Sequence, residues 1–175
     1  LDGARLAQAL TAAGNDLQPE DLPRLCDAFY IGGTKQGALF GEALLILKDE
    51  LKRDFRYLIK QHGGMLAKGR LLGVQFDALM QDDLYETIAA HADRLADQLR
   101  AALKALGVPF LVDSTTNQLF PILPDDQIAR LQEQAAFYTT ARVDGTHQAV
   151  RFVTSWATTD AQVDALLAVL NEVLG

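Results

Sequence analysis

Among its 175 residues the chain has one cysteine, two methionines, one tryptophan and three histidines. No apolar run reaches the ~20 residues of a membrane-spanning helix. A lone cysteine excludes an internal disulfide, which makes a reducing cytoplasm the expected compartment. Beside an apolar strand, Cys26 reads as a small buried hydrophobe. Basic residues are the minority, 16 against 23 acidic, and a net charge of −7 with a pI near 4.8 excludes the basic face that nucleic acid requires. Repeats, low-complexity tracts, linkers and a signal peptide are missing, so no membrane partner is expected. An initiator methionine is missing too. Leu1-Asp2-Gly3-Ala4-Arg5-Leu6 reads as the end of a buried strand running into a loop or helix, so the expectation is a fragment with part of its sheet upstream.

What is present is enough apolar material, 49% of residues, for a sizeable core in one or two small domains. The chain is organised around residues 27–47. Ala28 to Ile31 reads as a buried strand, Ala43 to Leu47 as a second, and Gly32, Gly33 and Gly37 let the backbone turn between them. Lys35 lies in that turn, on a connection between core strands and not on a solvated face. Two roles compete for it: a surface turn that serves solubility, or a partly buried amine with a lowered pKa that forms a Schiff base with a carbonyl, as pyridoxal phosphate (PLP) enzymes require.

The remaining pattern is mixed. Residues 19–25 carry early acids and a proline, predicting a short helix, whereas Leu6 to Leu10 is too short to define. Asp49 to Gln61 reads as a charge-rich helix with Leu51, Phe55, Leu58 and Ile59 on one face. Met65 to Met80 reads as a buried stretch whose cations, Lys68 and Arg70, need an anion nearby or an acidic partner. Leu84, Ile88, Ala92, Leu95, Leu99, Leu103 and Leu106 mark a long amphipathic helix ended by Gly107 and Pro109. His91, one position off that line, reads as structural or exposed, and no metal site is expected. Strand candidates follow at 110–112, 119–123, 137–142 and 149–154, with helices at 125–134 and 159–174, the latter capped by Thr159 or Asp160. The expected organisation is a first part over 1–82, a connecting helix over 83–108 and a small α+β domain over 109–175.

Four segments in order, Asp2-Gly3-Ala4-Arg5-Leu6, Phe29-Tyr30-Ile31-Gly32-Gly33-Thr34-Lys35-Gln36-Gly37-Ala38, Gly63-Gly64-Met65 and Arg151-Phe152-Val153-Thr154, resemble the threonine aldolase and β-eliminating lyase family of fold-type-I PLP enzymes, over the second half of such a protein. The resemblance implies an α/β fold: the C-terminal part of a PLP-dependent transferase-like large domain, then a small α+β domain. It implies that Lys35 carries PLP as a Schiff base, that Thr34 helps hold the cofactor and that Asp2 pairs with the pyridinium nitrogen. It implies that Arg5 and Arg151 bind the amino-acid carboxylate, and that Lys68 or Arg70 reaches the phosphate of a neighbouring subunit's cofactor. The phosphate-gripping loop and the ring-stacking residue would belong to a missing N-terminal half, for which His62, His91 and His147 are no substitutes. The implied activity is cleavage of the Cα–Cβ bond of a β-hydroxy-α-amino acid by a homo-oligomer, dimer or tetramer. β-Elimination, transamination or a non-catalytic role in assembly stay open as alternatives.

Overall fold

The glycine-flanked lysine segment folds as an antiparallel hairpin. In the structure, a computed structural model describing residues 1–175, β1 (Ala28–Gly32) pairs with β2 (Glu42–Ile46) from Ala28↔Ile46 to Gly32↔Glu42. Leu1 to Gly3 runs along the other edge of β1 in a parallel pattern. The Leu1 nitrogen donates to the Ala28 carbonyl at 2.9 Å, Tyr30 N–H to Leu1 at 3.4 Å, and Gly32 N–H to Gly3 at 2.9 Å. The approach is too close for side chains, since a Cβ on Gly32 would lie 2.7 Å from the carbonyl oxygens of Gly3 and Ala4. The opening segment therefore runs as an extended partner of β1, but Leu1 and Asp2 are exposed, which corrects the expectation of a buried strand; it leads into α1 (Leu6–Thr11), which the sequence pattern leaves undefined.

The chain divides into two units, one of residues 1–11 and 15–89, the other of 12–14 and 90–175. In the first, Leu6, Leu22 and Phe29 form one small buried cluster, and Ala7, Ala38, Leu79, Tyr85 and Ala89 another. The helix expected over 19–25 appears as a 3-10 turn, Pro19–Asp21, followed by α2 (Leu22–Leu25). The helix expected over 49–61 is also in two pieces, a turn at Asp49–Leu51 and α3 (Phe55–Gln61). Between them Asp54 adopts a left-handed conformation, φ 56°, which no helix can include. The stretch 65–80 is a correction: only Arg70–Leu79 is helical (α4), and within it only Leu79 is buried. Large apolar residues are exposed across this unit, Leu39 at 85% and Tyr57 at 76% among them.

Helix α5 (Leu84–Ala105) begins in the first unit and continues in the second. Near its start the buried line runs through Tyr85 and Ala89, not through Leu84, which is exposed. Its end is a Schellman motif. Gly107, at φ 73°, donates to Lys104, and Val108 donates to Leu103. In the second unit β6 (His147–Val153) is the central strand, pairing antiparallel with β3 (Gln118–Leu119), β4 (Ile122–Pro124) and β5 (Tyr138–Arg142). The strand expected at 119–123 is split because Pro121 has no N–H for the ladder; its carbonyl still accepts from Val150 at 2.9 Å. Residues 110–112 form only an isolated bridge, Phe110 to Pro121. Helices α6 (Asp125–Gln132) and α7 (Asp160–Leu174) complete the unit, and Thr159 caps α7 in a reciprocal box with Gln162. Leu95, Leu99 and Leu103 of α5 share one core with Leu123, Leu131, Val150, Phe152, Val163 and Leu170. No helix is long and apolar enough to cross a membrane.

Candidate active site

Lys35 sits on a single 3-10 turn, Thr34–Gln36, at the end of β1. Glu42, opposite Gly32 in the hairpin, organises that turn. Its carboxylate accepts from Gly33 N–H at 3.0 Å and from the Thr34 hydroxyl at 3.4 Å. Tyr85, 2% exposed, donates its hydroxyl to the Gly32 carbonyl at 3.0 Å, and burial pushes this phenol well above its ordinary pKa. The Lys35 and Thr34 side chains themselves are exposed. This corrects the expectation of a partly buried lysine: the flanking strands bury Phe29, but the turn projects past them into solvent.

Asp2 lies beside Tyr30 on the free edge of β1. Its carboxylate accepts from the Tyr30 hydroxyl and from Ala4 N–H, the latter at 3.0 Å. The tyrosine bond first, then the Ala4 bond, hold the Asp2 carboxyl below the ordinary value of 3.8, and the positive charge of Lys35 acts in the same direction. The Asp2 bond in turn raises the Tyr30 phenol. Asp2 and Lys35, far apart in sequence, thus share one electrostatic neighbourhood. Asp2 titrates lower in the folded protein than in the unfolded chain. Its contribution to stability is therefore complete above about pH 4 and is lost as pH falls through the lowered folded pKa. Tyr30→Phe removes the largest cause, so the Asp2 titration, followed by carboxyl carbon NMR, is expected to move up toward 3.8. An unmoved midpoint would leave the depression to Ala4 N–H and Lys35.

The arginines are dispersed over the two units. Arg5, half-buried, immediately precedes α1, and its carbonyl accepts from Ala9 N–H at 3.1 Å. Arg70 begins α4 in the first unit and is exposed, as is Lys68, so neither is the cation on a buried segment that the sequence pattern predicts. Arg151 belongs to the second unit, on β6 opposite Tyr138, with its guanidinium carbon 5.5 Å from the tyrosine ring centroid. Its Nε is buried with no acceptor in the chain. Arg151 borders an open cavity of about 600 Å³ lined also by Phe137, Thr154, Thr158, Gln162 and Leu166. His91 is held structurally, its Nε2 2.7 Å from the Thr158 carbonyl oxygen. Tyr30, Glu42 and Tyr85 escape the sequence reading. Glu42 alone had a local signal, as the residue that a hairpin register sets against the end of β1.

No protein-family model matches the chain. It is 31% identical to a low specificity L-threonine aldolase of a Pseudomonas species over 99% of this chain and 50% of the relative. A solved threonine aldolase of Leishmania major superposes with a TM-score of 0.96 at 46% identity, covering 100% of this chain and 51% of that one. A Sphingomonas wittichii serine palmitoyltransferase gives a TM-score of 0.60 over 84% of this chain and 39% of that one, at 14% identity, a likeness of fold alone. The chain thus spans about half the length of the curated relatives it matches.

Proposed function

The chain matches the C-terminal half of the threonine aldolases and has the fold of fold-type-I PLP enzymes, and on that premise we propose that the complete protein is a PLP-dependent lyase that splits a β-hydroxy-α-amino acid into glycine and an aldehyde. The observation that carries the reading is the superposition on a threonine aldolase over the whole of this chain, with Lys35 on the turn that follows β1 and Asp2 hydrogen-bonded to Tyr30 of the same strand. A carboxylate held ionised next to β1 and a primary amine on the turn that follows it are the groups that the cofactor's ring nitrogen and carbonyl carbon would take. Bound there, PLP supplies an electron-accepting ring that withdraws the electron pair of the bond being broken.

Asp2 would hold the proton of the ring nitrogen, and the Tyr30 and Ala4 hydrogen bonds keep the carboxylate charged for that task. The Lys35 amine would anchor the cofactor's carbonyl carbon, and the Thr34 hydroxyl, which donates its proton to Glu42, stands next to it in the chain and would help hold the cofactor through its oxygen. Arg5 of the first unit and Arg151 of the second are each assigned to carboxylate binding, a role for which a guanidinium fork gives bidentate geometry. The buried, unmatched Nε of Arg151 and the cavity beside it support that role. Arg70, exposed at the head of α4, is assigned to a phosphate on a neighbouring subunit. The exposed apolar residues of the first unit support a homo-oligomer and a further half of the polypeptide packed on this one. A cytoplasmic location is part of the same proposal, supported by Cys26 being the only cysteine in the sequence.

The test is product analysis on the complete protein supplied with PLP and threonine. Equal amounts of glycine and acetaldehyde are expected. A 2-oxo acid with ammonia would assign elimination, a 2-oxo acid formed with transfer of the amino group would assign transamination, and no turnover of any amino acid would leave the assembly role. A second expectation concerns Arg151→Lys. A point charge cannot reproduce the fork, so KM for threonine should rise roughly tenfold or more with the cofactor's visible absorbance retained. An unchanged KM would make Arg151 a structural partner of Tyr138.

A further inference from the structure

Two glutamines outside every role assigned so far meet in the interior of the first unit. Gln8 lies in α1 and Gln36 ends the lysine-bearing turn; both are 0% exposed, and Gln8 Nε2 donates to Gln36 Oε1 at 3.1 Å. Glutamine is seldom fully buried. Here Gln8 Oε1 and Gln36 Nε2 are also buried without a partner in the protein. An apolar pair of the same shape would fill this space and leave no polar atom unmatched. Packing alone gives no reason for an amide at either position.

Their places in the chain give one. Gln36 directly follows Lys35, whose turn is also held from β2 through Glu42 and, at the Gly32 carbonyl before it, by the Tyr85 hydroxyl. Gln8 stands on the helix that leads directly from the segment carrying Asp2 and Arg5. Their bond therefore ties the turn that presents the amine to the helix that follows the carboxylate. A hydrogen bond imposes a distance and an angle, whereas apolar contacts tolerate sliding. We propose that the Gln8–Gln36 amide bond is a positioning clasp that sets the separation between the Lys35 amine and the Asp2 carboxylate, so that both engage one cofactor ring. Neither glutamine touches a reacting atom. The inference rests on the PLP reading of the site.

The experiment compares the complete parent protein with Gln8→Met/Gln36→Met, which replaces both amides by unbranched side chains of similar volume. Three measurements are made: thermal unfolding of cofactor-free protein, the Kd for PLP from absorbance titration, and amide hydrogen exchange over residues 33–37. The double variant is expected to melt no lower than the parent, to exchange faster in the turn and to bind PLP about tenfold more weakly, as a small misplacement of a binding group would cause. Parental PLP affinity in the double variant, whatever its melting temperature, marks a merely structural pair and overturns the clasp. If the parent itself does not bind PLP, it is the reading of the site that fails, and with it the clasp's role toward the cofactor. Exchange still reports separately whether the pair orders the turn. Should the double variant not fold, Gln36→Asn, which keeps the amide but shortens its reach by one methylene, is read by the same affinity and exchange measurements, and parental values in both overturn the proposal.

Discussion

Lys35→Ala in the complete protein is expected to abolish the visible absorbance of lysine-bound PLP and to lower turnover of threonine by roughly three orders of magnitude or more. The expectation follows from geometry as well as from resemblance. Lys35 is the only lysine or arginine on the turn that Glu42 and the β1–β2 register hold, so no other cation can take over its place without rebuilding the hairpin. The effect should fall on the chemistry and not on the fold. The Lys35 side chain is exposed and makes no ion pair, so unfolding of the cofactor-free variant should match the parent within about 0.5 kcal/mol. Retained absorbance and turnover would remove Lys35 from the site. A large loss of stability would instead make it a structural residue, against its exposure.

The second large effect is expected at Gly3 and runs the other way, through the fold. A Cβ built on Gly3 would lie 1.7 Å from the Tyr30 carbonyl oxygen and 2.9 Å from its carbon, distances that no side chain can occupy. The obstacle is backbone, so no rotamer relieves it. Gly3→Ala must push residues 1–4 away from β1, which stretches the Gly32-to-Gly3 hydrogen bond and draws Asp2 from the Tyr30 hydroxyl. The expected loss is on the order of 3 kcal/mol in chemical unfolding, together with the loss of PLP binding. Gly73→Ala is the control. It lies in α4 with nothing within 4 Å of the added carbon, so it should be neutral or stabilise by about 0.5–1 kcal/mol through helix propensity. Equal stability of the two alanine variants would show that the opening segment does not pair with β1.

Much of the second unit was legible in local pattern. The α5 periodicity and the glycine after it are local features, since a helix face repeats within four residues and a Schellman turn within six. The Thr159 cap and the apolar face of α7 are read in the same way. Where a residue between elements decided the outcome, the reading ran too long: Pro121 divides a strand, and Asp54 divides a helix by adopting a conformation that its neighbours do not announce.

By itself, then, the sequence determined the α/β character, the two strands joined by the turn that carries Lys35, the helices that carry regular apolar faces and the likeness to threonine aldolases, because each of these resides in short-range pattern or in motif order; that the two strands pair as a hairpin was decided by the structure. Tertiary structure alone decided that Asp2 meets Tyr30, that Gln8 meets Gln36, that Lys35 is exposed and that α4 buries only Leu79. Contacts between segments some 28 residues apart depend on which strand edge and which helix face the chain closes against. No local periodicity encodes that choice; it is made by the backbone approach of Gly3 to Tyr30, possible only where a side chain is missing.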